Sequence, residues 1–462
     1  MERDMTTGKP MKILLNFTIP IFIGNVFQQF YSMADTVIVG KFVGNTALAA
    51  VGACGTLIFL ILGFLMGMTA GFTVVTAQHY GAGNQKAMRQ SVASAAILSL
   101  IVSVLLTVLS MVLMKDVLRW MNTPADMYNQ AYAYIMVICG GIVAQVLYNL
   151  LAGILRAVGD SKRPLYFLIL AALLNIVLDL VFIVVFHMGA AGAAYATVIS
   201  QGVSGLLCLL YIIKYVPNLH LCREDWKMDW NLMKWQMKIG FPMAFQFSIT
   251  AIGTIVVQTA LNVFGSVAVA GYSAAVKIEQ IVTQAYIALG TAMSTYCAQN
   301  MGAGKIYRIR QGFRSATWMG EVYAVLTGIL VFFCGKSMTV LFVSENVREI
   351  TEYVDVSLRC AAISFAFLAV VNIYRNGIQG MGFGLLPMTA GIAELVGRSM
   401  AAVAASRFGS FLGICLASPA AWVLAAGLLL GMYFRIMHQY KVKGLLKPGE
   451  EDVVPVLKKR YI

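Results

Sequence analysis

The stretch Ala77–Ala95, AQHYGAGNQKAMRQSVASA, has a second, similar copy in this chain of 462 residues. The second copy is Ala298–Ala316, AQNMGAGKIYRIRQGFRSA, in which nine of the nineteen aligned residues are identical. Each copy follows a long apolar run and precedes another, and its glycines permit a tight backbone turn. We therefore predict a short polar turn between two hydrophobic helices at each place, and a chain built from two copies of one unit.

The composition indicates a membrane protein. Apolar residues make up 60% of the chain and charged residues 12%, with a mean hydropathy of +0.79, whereas a soluble domain carries about 25% charged residues. Runs of about 20 apolar residues have the length that crosses a bilayer core of roughly 30 Å. About twelve such runs are present: 13–39, 47–76, 92–114, 130–155, 165–187, 190–213, 239–263, 266–297, 315–342, 353–380, 386–407 and 410–434. We predict an all-α polytopic membrane protein.

The positions of the two copies predict the arrangement of the helices. An even number of spans separates the copies, so both have the same orientation, as in two six-helix lobes related by a pseudo-two-fold axis along the membrane normal. Residues 1–213 are assigned to the N-terminal lobe and residues 239–440 to the C-terminal lobe. Residues 214–238, with three tryptophans among lysines, are predicted to form an amphipathic cytoplasmic linker, and residues 441–462 a cytoplasmic tail.

The formal charge of +14 is interpreted as an orientation signal and does not indicate binding of nucleic acid. With the N-terminus in the cytoplasm, the segments on that side hold 25 Lys and Arg residues, and the outer segments hold six. This asymmetry predicts an inner (plasma) membrane protein with both termini in the cytoplasm. The first apolar run lacks a cleavage site after it, so we expect it to remain in the protein. The eight cysteines are scattered and are predicted to be packing residues.

Two acidic residues of the first half lie within predicted spans. Asp35 is in the first span, where a carboxylate at mid-membrane costs about 2.5–3.5 kcal/mol, unless the span ends earlier and Asp35 lies at the interface. Asn175 and Asp179 share one face of the fifth span, as a functional site or as a structural hydrogen-bonded pair. Thr197 of the sixth span either joins them or bonds its own helix backbone. Their oxygens suit Na⁺, or the two carboxylates can take up a proton, since they repel when both are ionised.

The second half does not repeat these acids. Asn175 aligns with Arg398. Glu394 lies four residues before Arg398 and either neutralises its charge or serves another role. A channel needs a ring of equivalent polar groups. The asymmetry between the halves instead favours a transporter in which one half handles a coupling cation.

The chain resembles the multidrug and toxin extrusion (MATE) family of cation-coupled efflux transporters, bacterial type, over nearly its whole length. The resemblance rests on the two AQ-x-x-GAG turns and on four further runs in the same order: MADTVIVG around Asp35, GILRAVGD from Gly153, LNIVLD from Leu174 and GAAYATVISQ from Gly192.

The resemblance implies roles for individual residues. The implied cation-coupling site, for H⁺ or Na⁺, consists of Asp35, Asn175, Asp179 and Thr197. Tyr31 matches a tyrosine associated with that site, and Pro20 matches the proline at which the first helix bends, in keeping with its missing N–H. Gln246 stands where some members carry an acid, so a cation site in the C-terminal lobe is not predicted. The candidates for the substrate cavity or a hinge are Tyr31, Pro20, Gln246, Glu279 and Arg398.

The implied function is secondary active efflux. Amphipathic or cationic small molecules would leave in exchange for H⁺ or Na⁺ by alternating access of two lobes, with no cofactor and with a monomer sufficient. The alternative is a lipid-linked saccharide flippase of the same architecture, which is disfavoured because it has about fourteen spans and needs a dense cationic cavity. An intramembrane enzyme needs clustered acids or a catalytic histidine at the membrane face, and the four histidines here are separated, so we predict that the chain is not an enzyme. The expected partners are small-molecule substrates and the lipid bilayer, without nucleic acid.

Overall fold

The computed structural model describes residues 4–121, 123–338 and 347–446, and within these ranges the regular structure is helical, without β-strands. The helices are α1 (Pro10–Phe42), α2 (Asn45–Gly81), α3 (Gln85–Trp120), α4 (Ala125–Gly140), α5 (Ile142–Ala157), α6 (Lys162–Leu180), α7 (Gly189–Tyr215), α8 (Trp230–Leu261), α9 (Ser266–Gly302), α10 (Ile306–Met338), α11 (Val347–Gly380), α12 (Leu385–Arg407) and α13 (Phe411–Val442). The predicted all-α class is confirmed. Most of the tail predicted at residues 441–462 lies outside the described residues.

The helices account for the predicted spans. Nine of those described are long and apolar enough to cross a membrane, and α4 with α5, bent by 46°, gives a tenth crossing. The long helices α9 and α12 are less apolar because they carry charged side chains, Lys277 and Glu279 in α9 and Glu394 and Arg398 in α12. Together these segments correspond to the twelve predicted runs. Large apolar side chains, such as Leu105 and Val112 of α3, are exposed on the outer faces of the helices, as the lipid-facing surface of a membrane protein requires.

The two copies of the repeated stretch form the same turn. The helix before the first turn ends at Gly81, and Gly83, two positions later, has a φ of +66°. The helix before the second turn ends at Gly302, and Gly304 has a φ of +76°. Glycine adopts this left-handed conformation without steric cost. The Gly83 N–H donates to the Tyr80 carbonyl at 3.0 Å, and the Gly304 N–H donates to the carbonyl of Met301 at 3.2 Å. The predicted turn between two helices is therefore present at both places.

Contacts along the chain define two units. Of the described residues, the first contains Ile19–Phe247, and the second contains Met5–Thr18 together with those from Ser248 to the end of α13. In the first unit the Arg89 side chain of the repeated stretch donates to Asp225 at 3.1 Å. In the second unit the N–H of Met5 donates to Gln299 at 2.9 Å. A polar segment thus binds the repeated stretch in each unit, while the lobe boundaries drawn from the sequence remain a prediction.

The stretch assigned to the linker is partly helical. After α7 come two short 3₁₀ turns, Pro217–Leu219 and Arg223–Trp226, and α8 begins at Trp230. Residues 230–238 are therefore the first turns of a long helix. Trp226 and Trp230 are exposed, whereas Trp235 packs edge-on against His79 with ring centroids 5.5 Å apart.

Close packing of α2 against α8 depends on glycine. A Cβ atom added to Gly71 would overlap the backbone of Gly240, and one added to Gly67 would lie 2.5 Å from the carbonyl oxygen of Met243. Membrane helices commonly use small residues for such approaches.

Gly71→Ala is expected to destabilise the protein by about 1–3 kcal/mol, since backbone must move to admit the methyl group. The matched control is Gly52→Ala on the same helix, where a Cβ atom meets nothing within 4 Å. Alanine there should be neutral or stabilising by about 0.5–1 kcal/mol. Thermal unfolding in detergent, followed by circular dichroism, measures both. Equal melting temperatures for the two variants would contradict the packing described here.

Candidate functional site

Three helices of the first unit each present two polar side chains one turn apart. The four-residue spacing puts each pair on one helix face. The pairs are Tyr31 and Asp35 on α1, Asn175 and Asp179 on α6, and Thr197 and Gln201 on α7. In helices this apolar, a polar face must meet protein or water, because lipid leaves such groups unsatisfied.

Thr197 links the three helices. Its hydroxyl donates to Oδ2 of Asp35 at 3.5 Å and accepts from Nδ2 of Asn175 at 3.5 Å. One turn away, the Gln201 amide donates to the Tyr31 hydroxyl at 3.4 Å. The Asp179 carboxyl lies beside that of Asp35.

The structure thus brings together the four residues predicted for cation coupling, with Tyr31 beside them. Gln201 was not predicted. Its position one turn after Thr197 in the GAAYATVISQ run was the available signal.

Apart from the contact between the two carboxyls, several oxygen atoms of this site have no hydrogen-bond partner among the described residues: Oδ1 of Asp35, Oδ1 of Asn175 and both carboxylate oxygens of Asp179. Asn175 and Asp179 are 1% and 0% exposed. A buried carboxylate without a partner is costly, so it holds a proton or binds a cation. The four oxygens are therefore available acceptors for a positive charge.

A small cavity adjoins Asn175 and Thr197 of this site. Its volume is about 10 Å³, close to the minimum of roughly 10–15 Å³ that holds one water molecule. Its walls are Tyr31, Leu168, Ala171, Ala172, Asn175, Thr197, Ser200 and Gln201. A cavity of this size fits a single water or small ion and excludes an organic substrate.

The helix that carries Asp179 changes form directly after it. A π-helical turn, Val181–Val185, follows α6 and is closed by the Phe186 N–H donating to the Val181 carbonyl at 3.0 Å. Single π turns interrupt α-helices at functional sites more often than elsewhere. The five residues, VFIVV, offer no sequence signal for this turn.

The other predicted candidates lie elsewhere. Pro20 is buried in α1, fifteen residues before Asp35, which is about 22 Å along the helix at 1.5 Å per residue. Gln246 is buried on α8, outside the three helices of the site. Glu279 and Arg398 belong to the second unit. Their assignment to a substrate cavity or hinge remains a prediction.

The second unit holds a buried ionic cluster. The guanidinium groups of Arg375 and Arg398 each donate to one carboxylate oxygen of Glu394, both at 2.6 Å. Glu279 interacts electrostatically with Arg398. Arg398 corresponds in the repeat to Asn175, so a fixed positive charge stands where the first half has an amide. Arg375 is one of the 25 Lys and Arg residues counted on the cytoplasmic side in the sequence, and in the structure it pairs with an acid nineteen residues later.

These features define a polytopic helical membrane protein with an acidic site in one half. The MatE family model matches residues 20–181 and 241–418 of the chain. The chain therefore belongs to the MatE family, whose members are transporters.

Named relatives agree with this family. The chain is 30% identical over 377 residues to the probable multidrug resistance protein YpnP of Bacillus subtilis, covering 81% of this chain and 83% of YpnP. It is 26% identical over 385 residues to the probable multidrug resistance protein NorM of Thermotoga maritima, covering 82% of this chain and 81% of NorM. A solved structure described as "Crystal structure of MATE in complex with MaL6" superimposes with a TM-score of 0.90 at 23% identity, covering 95% of this chain and 99% of that one. The fold is thus that of MATE transporters, with twelve membrane helices in two lobes.

Thr197→Val is expected to weaken the cation-driven transport proposed below without unfolding the protein. The substitution keeps the shape and removes the hydroxyl that joins Asp35 to Asn175. Loss of hydrogen bonds worth about 0.5–1.5 kcal/mol each should raise the cation concentration for half-maximal transport by about two- to tenfold.

The control is Thr36→Val, because the Thr36 hydroxyl is exposed and donates to the carbonyl of Ser32 in its own helix at 2.9 Å. Transport measured against cation concentration compares the two. An equal response of both variants would remove Thr197 from the site.

Proposed function

We propose that the protein is a secondary active efflux transporter that exports amphipathic or cationic small molecules in exchange for H⁺ or Na⁺. The observation that supports the proposal is the pair of neighbouring carboxyls with unpartnered oxygens within membrane helices. One of them, Asp35, accepts a hydrogen bond from Thr197 in the wall of a water-sized cavity. The names of the relatives, which refer to multidrug resistance, support export of small molecules. The 26 methionines and 25 phenylalanines of the chain suit an adaptable apolar transport path.

The coupling step follows from the charges at the site. When Asp35 and Asp179 are both ionised, their repulsion in a low-dielectric environment favours uptake of a proton or of Na⁺. The bound cation removes that repulsion and lets α1, α6 and α7 pack closely around Thr197. A cation that binds one packing of these helices more tightly than another shifts the population between them. A substrate that binds more tightly to the other packing of the helices is thereby exchanged for the cation.

The same proposal includes orientation and assembly. The excess of Lys and Arg on one side supports an inner-membrane location with both termini in the cytoplasm. The repeat of six helices supports alternating access, in which the two halves rearrange around a central path. A monomer contains both halves and therefore suffices.

The proposal is tested with purified protein in liposomes that carry a fluorescent cationic dye. A pH gradient and a Na⁺ gradient are imposed separately, and dye movement is followed by fluorescence. One of the gradients should drive dye transport, and the effective gradient identifies the coupling ion. Absence of transport under both gradients, together with transfer of a labelled lipid-linked saccharide, would contradict efflux and favour the flippase.

A further inference from the structure

A large apolar groove lies within the first unit, apart from the acidic site. Its volume is about 600 Å³, and it runs between α3, α5 and α7 to the 3₁₀ turns that follow α7. Its lining is aliphatic over most of its length, with Ser99 and Ser103 as the polar residues on α3. At the end formed by the 3₁₀ turns, His220 and Trp226 join Leu219 and Leu221 in the lining. A charged substrate would find no partner along the aliphatic walls.

The groove is open to the bilayer along one side. Leu100 of α3, Val143 of α5 and Ile213 of α7 line it and are 56%, 42% and 58% exposed. These three helices belong to membrane crossings, so the surroundings of those side chains are lipid. The occupant of the groove therefore enters from the membrane.

The length of the groove matches one leaflet. On α3 the lining extends from Val92 to Ser103, which is about 17 Å at 1.5 Å per residue. Half of a hydrocarbon core of about 30 Å is close to this value. One acyl chain that enters at the 3₁₀ turns would reach the middle of the membrane beside the bend between α4 and α5.

The entrance of the groove carries net positive charge. Lys214, Arg223 and Lys227 are exposed in this segment, and Glu224 and Asp229 are its exposed acids. Asp225 is buried and neutralised by the Arg89 guanidinium at 3.1 Å. Exposed Trp226 belongs to the residue type that occupies the headgroup level of a membrane. Cations at that level attract anionic lipids.

We propose that this groove binds one acyl chain of an anionic phospholipid from the leaflet on the linker side, with the phosphate at Arg223 and Lys227. The chain fills the space between α3, α5 and α7, and the headgroup holds the 3₁₀ turns at the membrane surface. The site is separate from the acidic site, so lipid binding and dye transport report on different features.

The test counts lipids that remain bound to the full-length protein in native mass spectrometry after addition of phosphatidylglycerol or phosphatidylcholine. The wild type should retain one phosphatidylglycerol molecule in preference to phosphatidylcholine. Ala96→Trp places a large ring in the groove, because Ala96 is part of its lining, and should lower the occupancy by tenfold or more. The matched control is Leu105→Trp on the exposed face of the same helix, which should retain the lipid.

A second variant keeps the groove open. Arg223→Glu combined with Lys227→Glu leaves the apolar walls unchanged, so the preference for phosphatidylglycerol over phosphatidylcholine should disappear while a lipid still binds. Equal retention by wild type, Ala96→Trp and the reversed-charge variant would overturn the proposal. Loss of dye transport in folded Ala96→Trp with unchanged lipid retention would also overturn it, because the groove would then belong to the transported compound.

Discussion

Asp35→Asn and Asp179→Asn are each expected to reduce gradient-driven dye transport by about 30-fold or more. Both substitutions keep the shape of the side chain and remove a charge that the coupling cation binds in the proposed exchange. Removing one member of a buried, hydrogen-bonded pair of opposite charges, here the carboxylate that would bind the cation, costs about 2–5 kcal/mol. Each 1.4 kcal/mol is a factor of ten in affinity. Transport in liposomes under the effective gradient measures the loss.

Two comparisons make this result specific to the acidic site. Asp126→Asn removes an exposed carboxylate in the first turn of α4 and should leave transport unchanged. The melting temperatures of Asp35→Asn and Asp179→Asn should equal or exceed that of the wild type, because each variant buries one fewer ionisable group. Full transport in both variants, with the fold intact, would show that coupling takes place elsewhere.

Glu394→Gln is expected to lower the free energy of unfolding by about 3–5 kcal/mol, because it leaves the largely buried Arg375 guanidinium without a counter-ion and leaves Arg398 only the electrostatic interaction with Glu279. Both Arg375 and Arg398 donate to this one carboxylate. The matched control is Asp355→Asn, which breaks the more exposed Arg359–Asp355 pair on α11, and pairs of that kind contribute about 0–1 kcal/mol. Thermal unfolding in detergent compares the two losses.

A further variant distinguishes loss of one charge from loss of the whole cluster. Glu394→Leu combined with Arg375→Leu, Arg398→Leu and Glu279→Gln removes the three charges of the salt-bridged cluster together with the acid that interacts with Arg398. Apolar side chains of similar volume often replace a buried ionic triad without loss of stability, so the melting temperature should return toward the wild-type value. A destabilisation by Glu394→Gln no larger than that of Asp355→Asn would contradict the role of the cluster in stability.

The sequence predicts the fold well because its signals are local. Runs of apolar residues mark the helices, and the repeated Gly-Ala-Gly turn marks their boundaries at Gly81 and Gly302. The start of α8 at Trp230 is less visible, since Lys234 and Lys238 near its beginning are typical of a surface segment. Helix ends near a membrane interface carry such charges, so charge alone does not separate a linker from a helix.

The acidic site is predicted in part. Asp35, Asn175 and Asp179 are recognisable because polar groups are costly within apolar helices. Gln201 lies midway along α7 and is uncharged, and its partner Tyr31 is distant in sequence, so no local pattern identifies their contact. The pairing of Arg375 with Glu394 is a tertiary contact between two helices, and no periodicity within either helix encodes it. The π turn after Asp179 depends on packing, since VFIVV suits an ordinary helix equally well.

The polar segment at Met5 has a practical consequence for dividing the protein into halves. Met5 and Thr6 accept hydrogen bonds from Asn300 and Lys305 of the second unit, while Asp225, which lies just before α8, pairs with Arg89 of the first. Each half is therefore completed by residues that precede the first long helix of the other half. A six-helix fragment produced alone would lack the polar segment that binds its repeated stretch. A fusion partner attached at Met1 would be joined to the chain only four residues before Met5. Split or tagged versions should therefore carry their added sequence at the C-terminus and keep residues 5–18 in the same molecule as α9 and α10.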